Sequence, residues 1–335
     1  MGTSSSSSAN TSALAHDLDQ FYEEVYHYCG LKTFTRHKSA TSCNLYGVVH
    51  RLVTKLEPLV KRNDGDDEAT NSDQAFHKLI SRCLNRMHSK TGFTPLAVAC
   101  LLNNVNAVEI LLQTRAVCNV DVNVRVRDGR TPLLVATQRK LDSGTVGDEV
   151  KRKDSFDILK MLLNCKANIN ATDEQGNTPL ISAVTQQNYK ASKLLLQRGA
   201  DINAVNGSAQ SPLLVCVASC AEIKSKMQKK RAKFEKVLQT LLDGKADCEK
   251  QDVQGMTPLF LAASSGLARL VDALVRAKAN PDTANKRGVS AAMAAILRSR
   301  VTTLQVLCDC KVDVQARSPG GQTVLDLALS LPRRN

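Results

Sequence analysis

Tryptophan is absent from the 335 residues, and aromatic residues make up only 4% of them. That scarcity disfavours a stacking platform for single-stranded nucleic acid. All six histidines lie at or before His88, so the rest of the chain has no imidazole for base catalysis or metal ligation. There is no glycine-rich phosphate loop and no helix-borne His/Glu metal signature. No apolar run approaches the roughly 18 residues of a membrane span, and the serine-rich start lacks the apolar core of a signal peptide. The eleven cysteines are odd in number and scattered, without framework spacing. Cys216-xxx-Cys220 and Cys308-x-Cys310 have no second ligand pair at zinc spacing, so they read as small apolar core residues. These absences exclude catalysis and call for no cofactor, no metal and no small-molecule substrate. They point to a reduced compartment, cytoplasmic and/or nuclear, rather than to secretion or a membrane.

The charge is abundant and one-sided, at +13 overall. Residues 1–89 balance ten Lys/Arg against ten Asp/Glu, whereas residues 90–335 carry thirty-five against twenty-two. A basic balance favours acidic partners or phosphate surfaces and says nothing about fold. The densest basic run holds Lys224, Lys226, Lys229, Lys230, Arg231 and Lys233. It reads as a solvated helix face, a nuclear-import signal or a contact for an acidic partner. No DNA-binding motif accompanies it. Gly2 and Ser6 also fit a myristoylation pattern, which a poly-Ser tract matches easily, and one acyl chain attaches only marginally.

A repeat organises most of the chain. FTPLAVA, RTPLLVA, NTPLISA, SPLLVC and MTPLFLA begin their Thr or Ser at Thr94, Thr131, Thr178, Ser211 and Thr257. Weaker copies start at Ser290 and Thr323. The spacings are 37, 47, 33, 46, 33 and 33, a base period of 33 with three additions. Thr or Ser is a good N-cap, and Pro at the first helical position loses no needed donor. A second helix with a stronger apolar stripe follows, then a turn and a loop tip. Neither helix buries its apolar face alone, so the units must stack. The addition around Lys140 to Asp154 predicts an exposed loop. The one from Glu222 to Lys236 predicts an elongated, exposed helix.

The period, the T-P-L starts and the LLLQRGADINA turn resemble the ankyrin repeat. The resemblance implies an all-α solenoid of paired helices with β-hairpin loops over residues 89–331, the last unit incomplete. The family's usual T-P-L-H histidine is replaced by Ala97, Leu134, Ile181, Leu214 and Phe260. Residues 1–12 read as a disordered Ser-rich tail and 13–88 as a helical N-terminal region that caps the stack. Within it, CNLYGVVHRLV and AFHKLISRCLNRMHSKTGFTPLAVA are similar to a passage in Fem-type ankyrin adaptors, the substrate receptors of cullin ubiquitin ligases. That likeness implies a degradation adaptor as an alternative function.

The ankyrin resemblance implies a protein-binding module working through loop tips and the concave side of the first helices. The tip residues are Arg127, Arg130, Glu174, Gln175, Asn177, Lys286 and Arg287. Concave positions supply Arg139, Gln186 and Arg298, and Leu101 and Leu102, which read as buried under the N-terminal helices or, alternatively, as a hydrophobic anchor. The expected partner is another protein with an acidic surface, nucleic acid or membrane being the alternative, and the chain reads as a monomer. One oddity remains. Arg115, Lys166, Lys245, Lys278 and Lys311 stand where the second helix ends, a place where Gly199 alone keeps the expected glycine. They form either a tolerated habit of the repeat or a basic binding edge.

Overall fold

The computed structural model describes residues 20, 22, 23, 25, 78, 80–113, 119–138, 148–223, 228–310, 312–318 and 320–330. The chain divides into two compact units, Met1–Asp173 and Glu174–Asn335. In the first unit α1 (Pro95–Leu102) pairs with α2 (Val105–Gln113), and α3 (Pro132–Thr137) with α4 (Asp148–Asn164). α1 packs on α3 and α2 on α4, giving two layers. In the second unit the pairs are α5 (Pro179–Thr185) with α6 (Tyr189–Gln197), and α7 (Pro212–Ala221) with α8 (Gln228–Asp243). α9 (Pro258–Ser265) with α10 (Ala268–Arg276) and α11 (Ala291–Leu297) with α12 (Val301–Asp309) follow, and α13 (Val324–Ser330) closes against α11. Among the described residues there is no strand, only an isolated bridge between Arg317 and Thr323.

The two helix types differ because their surroundings differ. In the second unit α7 touches α8 and the first helices α5 and α9, and α9 touches α10, α7 and α11, so each is buried almost all round. Pro212 to Val217 in α7 are buried without interruption. A helix apolar on every side is stable only in such a place. The second helices are covered on one side and carry one stripe, as in α10, which buries Leu270, Val271 and Leu274. Fully burying such a leucine contributes about 1.5–3 kcal/mol.

The T-P-L reading of the helix starts holds. Thr94, Thr131, Thr178, Ser211, Thr257 and Ser290 each accept the amide three residues on, at 3.1–3.4 Å, with the hydroxyl residue buried. The last copy lacks the proline and uses a reciprocal box instead. Asp326 N–H donates to Thr323 Oγ1 at 3.1 Å, and Thr323 N–H donates to Asp326 Oδ2 at 2.9 Å. The Thr323 amide, with the Thr323 hydroxyl, holds the Asp326 carboxyl pKa below its ordinary value.

The helix ends account for the lysines. Lys166, Lys245 and Lys278 have φ of 61°, 60° and 67°, the left-handed conformation that Gly199 adopts at 86°. The following residues Ala167, Ala200, Ala246 and Ala279 donate back to Leu162, Leu195, Leu241 and Leu274 at 3.0–3.1 Å. These back-bonds satisfy helix-end carbonyls that would otherwise stay open. The three lysines are exposed. A side chain in this conformation costs about 1–2 kcal/mol, and a cation at the helix end recovers about 0.3–1 kcal/mol. Lys245→Gly and Lys278→Gly are therefore expected to raise stability by about 0.5–1 kcal/mol each, read as a higher urea midpoint at unchanged slope. Arg115 and Lys311 lie outside the described residues.

Three expectations need correcting. The addition read as a loop from Lys140 to Asp154 gives its last part, from Asp148, to α4. The run DEVKRKD is rich in good helix formers and elongates a helix that tertiary packing already anchors. The other elongated helix begins at Gln228 rather than Glu222. Leu101, read as buried, is 37% exposed, and Leu102 is only half-buried. They follow the last fully covered turn of α1, Pro95 to Cys100.

Candidate functional site: the loop tips

Most of the loop tips are five-residue turns closed on themselves. Asn206, Asp252, Asn285 and Ser318 donate their amides to the carbonyls of Gln210, Met256, Val289 and Gln322, and accept from the residue three places on. In three of these tips a side chain completes the turn. The Oδ1 atoms of Asn206, Asp252 and Asn285 each accept two amides, at 2.9–3.0 Å. The fourth residue of the turn takes a positive φ, which favours glycine: Gly255, Gly288 and Gly321 hold it at 77°, 68° and 77°, while Ala209 adopts it at 58°.

Neighbouring tips are joined by backbone. Arg127 N–H donates to the Gly92 carbonyl at 3.0 Å, Gly207 to Gln175 at 2.8 Å, and Lys286 to Gln254 at 3.2 Å. A second set of rungs lies between the helix ends and the tips. Asn85, Asn123, Asn203, Glu249 and Asp282 accept the amides of Asp121, Asn168, Asp247, Asn280 and Asp313 in the next repeat, at 2.7–3.0 Å. Within each repeat the same amide-bearing residue turns the chain. Asp121, Asn168, Asp201, Asp247, Asn280 and Asp313 accept from the amide two residues on. The signal is an Asp or Asn two places before an Asn, Glu, Asp or Gln, and sequence reasoning had passed over it.

This frame sorts the expected site residues. Arg127 is exposed, and its stem crosses Gly92, where an added Cβ would lie 2.5 Å from Arg127 Cβ. Lys286 and Arg287 are exposed at the tip after α10. None of the three makes an ion pair among the described residues. Arg130 is different. Its Nε donates to Asp128 Oδ2 at 2.6 Å, a second nitrogen pairs with the same carboxylate, and Nη1 donates to Gln138 Oε1 at 2.8 Å. Its guanidinium also covers the Phe93 ring at 5.6 Å. Burial raises the Asp128 carboxyl's affinity for a proton, but the hydrogen bonds and charge of Arg130 outweigh it and hold the pKa below normal. Arg130 is thus a brace inside its loop rather than an open cation at the tip.

Asn177 is likewise engaged, donating to Gln175 Oε1 and accepting from Asn206 Nδ2, both at 3.2 Å. Glu174 is exposed, Gln186 half-buried and Arg298 exposed. Arg139, Lys224 and Lys226 lie outside the described residues. So do Gly2 and most of the passage similar to Fem-type adaptors. Lys229 and Lys230 fall on the first turn of α8, Arg231 and Lys233 are half-buried along it.

The cysteines divide too. Cys100, Cys216, Cys220 and Cys248 are buried, as expected of core thiols, and burial pushes the Cys216 thiol far up. Cys308 is exposed and Cys310 half-buried, against expectation, because they sit on the uncovered last turns of α12. Among the described residues no group of His, Cys, Asp and Glu could hold a metal ion, and no helix is long and apolar enough to cross a membrane.

The family model for ankyrin repeats matches in three copies, over residues 68–144, 150–222 and 229–330. The chain belongs to the ankyrin-repeat family. The first match begins at residue 68, so it takes in the helical residues Ile80 to Leu84 ahead of the first T-P-L ankyrin helix. Among solved structures, the ankyrin repeat domain of Bcl-3, titled a unique member of the IkappaB protein family, is similar. The TM-score is 0.60 at 22% identity, covering 72% of this chain and 96% of that one. No curated protein matches in sequence.

Proposed function

We propose that this ankyrin array is a non-catalytic protein-binding module that receives an acidic partner surface on its loop tips. The observation that carries the reading is the contrast among the tip cations. Arg125 and Arg130 are tied into the loops by carbonyls, a carboxylate and an aromatic ring. Arg127, Lys286 and Arg287 are exposed, their backbones are tied to the neighbouring loops or turn, and among the described residues their charges have no counter-ion. Charge fixed in position by a rigid loop steers and orients an oppositely charged partner at little ordering cost.

A photoreactive residue tests the location. Placed at Gln254, whose carbonyl accepts from Lys286, it should cross-link the bound partner. Placed at Gln113, exposed on α2, it should not. The reverse pattern would remove the tips from the interface.

A further inference from the structure

α8, at 16 residues, is longer than the other second helices of its unit, which have 9, and the extra length makes a groove. On the period of 33, Ala268 at the start of α10 corresponds to Glu235, so Gln228 to Phe234 extends the helix beyond its repeat. The extension overhangs the turn between α9 and α10. A cavity of about 440 Å3 lies beneath it, lined by Arg231, Ala232 and Glu235 on one side and Gly266 to Leu270 on the other. That volume is in the range of ligand pockets.

Two arginines line this space, Arg231 and Arg269, and a third, Arg300, packs against Gly266. Arg269 has a side chain 86% exposed and reaches Glu235 only loosely, at 3.8 Å. Arg231 is anchored by a long contact to the Ile223 carbonyl at 3.5 Å. Arg300, from the next repeat, donates Nε to the Ser264 carbonyl at 3.4 Å, and its stem crosses Gly266, where a Cβ would lie 2.8 Å from Arg300 Cδ. Glu235 is the one carboxylate in the lining. The wall beside the charges is apolar, with Ala232, Leu267 and Leu270. An excess of positive charge beside a short apolar wall fits a side chain that ends in a carboxylate and has a carbon stem.

We propose that this groove, whose lining includes none of the open tip cations, docks an acidic peptide segment of a protein partner, one glutamate carboxylate being received by Arg231 and Arg269. Glu235 then acts as a built-in competitor, since its carboxylate must give up Arg269 when the peptide binds. This goes beyond tip binding and does not rest on it.

The test uses the full chain and a synthetic hepta-glutamate peptide, followed through the backbone amide resonances of Gly266 to Leu270. Those resonances should titrate with the peptide at low salt. Arg269→Gln should weaken the titration about threefold or more, and Glu235→Gln should tighten it by a similar factor. Opposite signs from two substitutions at one loose ion pair cannot come from misfolding. A variant with Arg127, Lys286 and Arg287 changed to Glu should leave the titration of these five amides in place. Resonances that do not move, or an affinity unchanged by Arg269→Gln, would overturn the proposal. So would vesicles containing phosphatidylserine that shift the five amides when the peptide does not.

Discussion

Gly255→Ala should destabilise the second unit by about 2 kcal/mol or more. Two costs act together. At φ of 77° any Cβ is strained, which alone costs about 1–2 kcal/mol. In addition, the new Cβ would lie 2.7 Å from the Lys286 amide nitrogen and 3.3 Å from the Asn285 carbonyl carbon. Both are backbone atoms and cannot swing aside as a side-chain end could. The neighbouring tip has to move, and the bond from Lys286 N–H to the Gln254 carbonyl is the first to go. Gly199→Ala is the matched control, because nothing lies within 4 Å of its Cβ position and only the strain at φ of 86° applies. Chemical denaturation followed by far-UV circular dichroism separates the two. Because repeats couple mainly to their neighbours, the Gly255 variant should also broaden the transition rather than only shift it. Equal losses for the two variants would mean that the contact between tips carries no stability.

The helix starts and ends were legible because they are local. A Thr-Pro step announces its own cap, and a lysine in a glycine's place in the period announces a left-handed residue. What escaped was of two kinds. The rungs between repeats join residues 31 to 45 positions apart, such as Asn123 with Asn168 and Asp282 with Asp313. Their Asp and Asn residues were visible, yet acidic and amide side chains in loops read equally well as solvated polar residues. The rungs matter because the family's T-P-L-H histidine is missing here, and within each unit they tie neighbouring loops by other atoms. The fate of Arg130 was hidden in the same way. Asp128 stands two residues away in the sequence, but Phe93 and Gln138 reach it only through the stacking of loops. The groove under α8 could not be seen, since it needs an insertion in one repeat and a turn in the next. Its signal was the basic run itself, which ends at the residues that line the cavity.

Reversing charge at Arg127, Lys286 and Arg287 should weaken partner binding at least about tenfold, a change of about 1.4 kcal/mol. Each exposed ion pair is worth only about 0.2–1 kcal/mol, but a reversed charge replaces attraction with repulsion. The fold should be untouched, because these side chains make no ion pair among the described residues and their backbone bonds remain. Rim charges act mainly on association, so the loss should shrink as salt is raised toward and beyond 0.15 M, where the screening length is about 8 Å. The decisive measurement is affinity purification from cell extract with the unaltered chain and the Arg127→Glu, Lys286→Glu, Arg287→Glu variant side by side, with recovered proteins quantified by mass spectrometry. The tip account predicts that the partners lost from the variant are acidic and that its helical spectrum matches the unaltered chain. Recovery of the same partners in the same amounts from a variant with that matching spectrum would contradict it.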